Sequence, residues 1–110
     1  MYAYTEVLFY RTSDNSMDIQ FGFKYDYAAG GWKAYILTPL HYGYRPSDLH
    51  STHRLYDPAV QLYYVCWTPL PATLDDCKNV VAMWSDMTVH YIRTGETLDS
   101  QFIRLYGGSK

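Results

Sequence analysis

The clearest pattern along the chain is an alternation of apolar and polar residues between positions 19 and 27. Because successive side chains of a β-strand point to opposite faces, this alternation predicts a half-buried strand. Runs rich in aromatic and β-branched residues at 2–10 and 32–38 predict a strand on either side of it. Turn-forming residues at 11–16 and 28–31 separate the three segments. We therefore expect an antiparallel meander of three strands at the start of the chain.

A fourth strand and one long helix are predicted further along. Residues 60–67 are apolar on both faces, which is typical of a central strand. Thr73 followed by Asp76 has the form of a helix capping box, and Gly95 marks the end of the helix. At the helical period, one arc gathers Leu74, Cys77, Val80, Val81, Trp84, Met87, Thr88, Tyr91 and Ile92. This pattern predicts an amphipathic helix that packs on one face of a sheet.

The segment 101–106, which contains Phe102, Ile103, Leu105 and Tyr106, predicts a last strand. The element order β-β-β-loop-β-α-β indicates an α+β fold with an antiparallel sheet of about five strands. We expect one α+β domain over residues 1–106, followed by a flexible tail at 107–110. Because one helix cannot cover both faces of such a sheet, we also expect a homodimer or another protein on the second face.

The connection between the third and fourth strands, residues 39–59, has no apolar period and is expected to be irregular. Connections of this length are often functional. The candidate binding residues in it are His41, Tyr42, Tyr44, Arg45, His53, Arg54, Tyr56 and Asp57. Tyrosine and arginine are typical anchors of protein interfaces, and the same side chains stack on bases and hold anions.

Metal or catalytic chemistry has weaker support in this connection. His50 and His53, with His41, would supply three imidazole ligands, but no helix fixes their spacing and no cysteine joins them, so no metal is predicted. His53 with Asp57 would form a titratable pair, and an enzyme using such residues is an alternative. The glycines match no phosphate-binding loop, so no cofactor is predicted.

Composition and charge narrow the class of partner. The chain has 13 tyrosines in 110 residues, more than a small domain buries easily, so several are expected at the surface. Nine basic and 11 acidic residues give a net charge of −2, without the basic surplus typical of nucleic-acid binders. Protein contact is therefore favoured over nucleic acid.

The remaining sequence signals concern location and redox state. Cys66 and Cys77 are too few for a disulfide scaffold and are expected to be reduced core thiols. No apolar run is long enough to span a membrane, and the first residues lack a secretory pattern, so a cytoplasmic location is expected. We therefore predict a small cytosolic protein-binding module, with a small enzyme or a nucleotide- or RNA-binding protein as the alternative.

Overall fold

The computed structural model describes residues 4–107 and confirms the α+β fold. These residues form five strands in one antiparallel sheet and three helices. The elements are β1 (Glu6–Arg11), β2 (Asp18–Asp26), β3 (Gly31–Ile36), α1 (Leu49–Thr52), β4 (Arg54–Asp57), β5 (Leu62–Val65), α2 (Leu74–Thr94) and α3 (Leu98–Tyr106). The first residues of the predicted first strand, at 2 and 3, and residues 108–110 of the predicted tail lie outside the described range.

The sheet has the strand order β1-β2-β3-β5-β4. Its first three strands form the predicted meander, in which Phe21 lies opposite Leu8 on one side and Ile36 on the other. The alternation in β2 sends Ile19, Phe21 and Phe23 to one face, where all three are fully buried. This face of the sheet carries the hydrophobic core.

The long helix α2 covers that face as the sequence predicts. Thr73 caps its N-terminus by accepting a hydrogen bond from the Asp76 N–H, and Gly95 ends it with a φ of 83°, a conformation that favours glycine. The indole of Trp84 meets the ring of Phe21 edge-on, with centroids 6.0 Å apart. Apolar packing between α2 and the meander therefore forms the centre of the protein.

The opposite face of the sheet is partly covered by tyrosines of the chain itself. Tyr35 is only 1% exposed, because the rings of Tyr4 and Tyr64 pack against it. Its hydroxyl donates a 2.7 Å hydrogen bond to Asp57. Much of the surface for which the sequence predicted a partner is thus closed internally, while Phe9 on β1 stays 68% exposed.

The last predicted strand is wrong: residues 98–106 form the helix α3. Thr97 caps it by accepting from the Ser100 N–H, and Gly107 ends it in a left-handed conformation. The segment is rich in apolar and aromatic residues, but Ile103 and Leu105 are more than half exposed. The buried side chains follow the helical period instead, and the fifth strand is β4.

The connection at 39–59 is also more ordered than predicted. Asp48 accepts a hydrogen bond from the Ser51 N–H and starts the short helix α1. β4 then pairs with β5 over four residue pairs, from Arg54 opposite Val65 to Asp57 opposite Leu62. Within residues 4–107, no helix has both the length and the apolar character that crossing a bilayer requires.

Candidate ligand cavity

A cavity of about 600 Å³ lies where α2, α3 and the segment after β5 meet. Most of its wall is apolar: Trp67, Pro69, Met83, Trp84, Met87, Leu98, Phe102 and Tyr106. The polar lining residues are His53, Cys66, Thr68 and Asp99. Cavities of this size that combine apolar walls with a few convergent polar groups are typical small-molecule sites.

The helical period places the wall residues of α3 on one side. Asp99, Phe102 and Tyr106 are three and four residues apart, so they follow one another along the same helix face. The ring of Phe102 contacts Tyr106 at 4.9 Å and Trp67 at 6.2 Å between centroids. The rings of Trp67, Phe102 and Tyr106 are therefore continuous, and we call them the aromatic wall.

The polar corner of the cavity is an imidazole–carboxylate pair. His53 Nε2 lies 3.0 Å from Asp99 Oδ1, and the two side chains are 27% and 43% exposed. His50 stacks on His53 and approaches the other Asp99 oxygen to 3.9 Å, but it is 87% exposed. The pair therefore joins the turn after α1 to the first turn of α3.

The backbone around His53 is held from several directions. His53 adopts a left-handed conformation with a φ of 51°, and its N–H bonds to the His50 carbonyl. Its own carbonyl accepts a 2.9 Å hydrogen bond from the Cys66 N–H. The Trp84 indole N–H donates a 3.1 Å bond to the Thr52 carbonyl, one residue earlier. Contacts from α2 and from the residue after β5 therefore fix the backbone that carries the His53 imidazole.

Helix α3 is tied to the end of α2 by polar contacts. The Gln101 side chain, only 2% exposed, donates to the Met87 and Glu96 carbonyls at 3.0 and 2.9 Å. The Glu96 carboxylate accepts from Arg104, His90 and Ser100. The hydrogen bond from Arg104, together with that from His90, lowers the pKa of Glu96 to about 2. These contacts set the position of the aromatic wall.

Arg54, predicted as a binding residue, is used inside the fold. It is 8% exposed, and its guanidinium donates to Thr52 Oγ1 and to the Ser47 carbonyl. The guanidinium lies 4.0 Å from the Tyr63 ring centroid and 5.0 Å from that of Tyr42. Arg54 therefore fastens the connection to the sheet.

Tyr42, Arg45 and Asp57 also hold the structure together. Tyr42 is buried, which raises the pKa of its hydroxyl to about 12. Arg45 donates to the Ile92 and Arg93 carbonyls at the end of α2, where carbonyl groups lack helical partners. Asp57 accepts the Tyr35 hydroxyl and the Ala59 N–H.

The other predicted residues fall into two groups. His41, Tyr44 and Tyr56 are exposed, and Tyr44 is fully so. His53 alone among the eight lines the cavity. The eight predicted residues are spread along the connection, and the structure brings Arg54 and Tyr42 into contact.

Sequence reasoning missed most of the residues that build the cavity. The sequence pattern predicts a strand for Phe102 and no element for Asp99, although Thr97 and Gly107 carry the signals of a helix start and end. Trp67 was assigned to a strand that in fact ends at Val65. No local signal brings His53 to Asp99, because α2 and α3 have to be placed first.

The thiols and histidines form no metal centre within residues 4–107, where no three metal-binding side chains are grouped. Among the described residues, neither Cys66 nor Cys77 forms a disulfide, and of the two only Cys77 belongs to the hydrophobic core. Cys77 lies on the buried face of α2, and burial raises the pKa of its thiol to about 12. Cys66 is half-buried and lines the cavity.

Fold and site together define an α+β domain with an apolar cavity beside its sheet and a histidine–aspartate pair at the cavity's polar corner. No protein-family model, curated protein or solved structure matches the chain. Its function is therefore argued from its own residues.

Proposed function

We propose that the protein binds a small, mainly apolar molecule in the cavity between α2 and α3. The observation that carries this proposal is the cavity itself, with its volume of about 600 Å³ and its largely aromatic and methionine wall. Ligand pockets typically measure roughly 300–1,000 Å³, are mostly apolar and contain a few placed polar groups. Trp67, Met83 and Phe102 supply apolar surface, and His53 with Asp99 supplies the polar groups.

The fixed backbone at His53 supports binding of an oriented ligand. A polar group held in place before binding costs less ordering than a mobile side chain does. Met83 and Met87 make the apolar wall adaptable, because their unbranched side chains adjust to the shape of an apolar partner. The site thus combines one fixed polar corner with an adaptable wall.

A neutral probe, phenylbutanol, tests the proposal by calorimetric titration. We expect saturable binding to the wild-type protein. Met83→Trp, which fills the cavity, should weaken binding at least about tenfold. Ile103→Trp adds the same indole to an exposed position of α3 that does not line the cavity, and it should change affinity less than about twofold.

Thr68→Trp at the exposed rim repeats the test without changing the interior, in case Met83→Trp does not fold. Thermal unfolding of each variant establishes that it is folded. Absence of saturable binding to the wild type, or wild-type affinity in both folded variants Met83→Trp and Thr68→Trp, would contradict the proposal.

A protein-binding function is supported separately by Tyr44 in the connection at 39–59. Tyr44 is fully exposed. Of its neighbours, Tyr42 lies in the core and Arg45 is hydrogen-bonded to the end of α2. An exposed aromatic side chain between anchored neighbours suits a preorganised contact with a protein. Tyr44→Ala should then lose a captured partner that Tyr27→Ala, at another exposed tyrosine, retains.

The predicted homodimer and the cytoplasmic location stay proposals. Val7 and Phe9 leave apolar surface on the edge strand β1, and an edge strand with exposed apolar residues favours self-association. Light scattering at a high protein concentration should give about twice the 12.8 kDa chain mass. A mass near that of one chain would contradict the dimer.

A further inference from the structure

We infer that the ligand of the cavity is a cation, an apolar molecule that carries a protonated amine. This inference rests on the proposed function and names the chemical class of its ligand. It comes from the charges of the lining residues, the aromatic wall and the engagement of the nearby arginines.

The lining charge favours a positive ligand. Among the described residues that line the cavity there is neither lysine nor arginine, and Asp99 supplies the carboxylate. The Asp99 carboxylate is paired with the His53 imidazole at 3.0 Å, and an anionic ligand in this corner would meet that carboxylate. An ammonium group would meet an acceptor with which it makes a charge-assisted hydrogen bond.

The arginines closest in the fold are held elsewhere. Arg104 on α3 donates to both oxygens of the Glu96 carboxylate at 3.0 Å. Arg54 donates to Thr52 Oγ1 and the Ser47 carbonyl and stacks between two tyrosine rings. Neither side chain can turn to the cavity without breaking these contacts, so neither is placed to neutralise an anion there.

The aromatic wall provides the second contact for a cation. Phe102 and Tyr106 lie on the same side of α3 as Asp99, and Trp67 packs against Phe102. The faces of these rings attract ammonium groups, and tryptophan does so most strongly. A carboxylate and aromatic faces together are the elements that bind organic ammonium ions.

The volume indicates that the ammonium carries a hydrophobic body. A cavity of about 600 Å³ is much larger than a simple ammonium ion needs, and the methionines and Leu98 line its interior. An aryl or alkyl amine places its charge at Asp99 and its tail along α2. The same geometry would hold the neutral probe less tightly.

Three probes with the same tail test the inference: phenylbutylamine, phenylbutanol and phenylbutyrate. They are titrated calorimetrically into the protein at about pH 8, where imidazole side chains are ordinarily neutral. We expect the amine to bind at least about tenfold more tightly than the alcohol, and the carboxylate to bind most weakly. Carboxylate binding equal to or tighter than amine binding would overturn the inference.

Variants then assign the preference to Asp99. Asp99→Asn should bring the affinity for the amine to within about twofold of the affinity for the alcohol in the same variant. Asp75→Asn, at an exposed aspartate of α2 that does not line the cavity, should keep the full preference for the amine. An amine preference that survives Asp99→Asn would contradict the assignment.

The two proposals fail in different ways in this experiment. If the alcohol and the amine bind equally, the cavity is a ligand site but the ligand is not a cation. If none of the three probes binds the wild-type protein, the ligand site itself is wrong. The comparison among probes on the wild type needs no variant, so a poorly folded Asp99→Asn protein does not weaken it.

Discussion

Two regions of the molecule are built in different ways. The meander and α2 form a dry core in which Phe21, Phe23 and Val81 are fully buried and packed by periodic apolar positions. The region formed by the connection, the segment after β5 and α3 is held by specific hydrogen bonds from charged and polar side chains. The cavity lies between this second region and Met83, Trp84 and Met87 of α2, so polar contacts set the geometry on one side of the proposed ligand site.

The largest difference is expected between two phenylalanines. Phe21→Ala removes a ring with no exposed surface from the centre of the core and should destabilise the protein by about 3–5 kcal/mol. Phe102→Ala removes a half-buried ring from the cavity wall and should cost roughly 1 kcal/mol. Chemical denaturation measures both, and equal losses would show that the two regions are packed alike.

Arg54 should show how strongly polar contacts hold the second region. Arg54→Met keeps much of the side-chain volume but removes the hydrogen bonds to Thr52 and Ser47, and we expect a loss of about 2–3 kcal/mol. Arg11→Met, at an exposed arginine paired with Asp18, should cost less than about 0.5 kcal/mol. A small effect of Arg54→Met would mean that apolar packing alone orders the connection.

The attachment of α3 should depend on pH through Glu96. Hydrogen bonds from Arg104 and His90 lower the pKa of Glu96 from 4.5 to about 2, so the folded state favours the ionised carboxylate. Its contribution to stability is therefore full above pH 4.5 and is lost as the pH falls towards 2.

The difference in melting temperature between wild type and Glu96→Gln measures this contribution. The difference should be largest above pH 4.5 and should close as the pH approaches 2, because the wild-type carboxyl is then also neutral. Arg104→Gln should reduce the same pH dependence. A difference that stays constant over this pH range would contradict the role given to Glu96.

The smallest effect is expected for the reactivity of two single residues, the cysteines of the two regions. Cys77 belongs to the core and has a pKa raised to about 12 by burial, whereas Cys66 is half-buried at the cavity. Iodoacetamide should therefore alkylate Cys66 at least about tenfold faster than Cys77, as mass spectrometry of the peptides measures. Saturating phenylbutanol should slow only the reaction of Cys66. Equal rates, or faster reaction at Cys77, would contradict the described burial.

The core could be predicted because its signals are local. The alternation from Ile19 to Phe23 and the caps at Thr73 and Gly95 each lie within a few residues of the element they define. Helix α3 has comparable caps at Thr97 and Gly107, but its apolar and aromatic residues, which include the exposed Ile103 and Leu105, favoured a strand. A stricter weight on the capping residues would have identified it.

The cavity could not be predicted, because its polar corner depends on tertiary placement. His53 was singled out as a candidate, yet its partner Asp99 comes from a helix that follows α2. The burial of Arg54 depends in the same way on the rings of Tyr42 and Tyr63, which meet it only after the sheet has formed. These contacts between distant residues cannot be derived from the composition of the connection alone.

Methionine methyl resonances test the ligand site most directly. Met83 and Met87 line the cavity, while Met17 packs against the core outside the cavity lining. In NMR spectra of protein labelled with carbon-13 at the methionine methyl groups, phenylbutanol should shift the signals of Met83 and Met87 and leave that of Met17 unchanged. Shifts at Met17 alone, or no shift at a saturating probe concentration, would contradict a ligand site between α2 and α3.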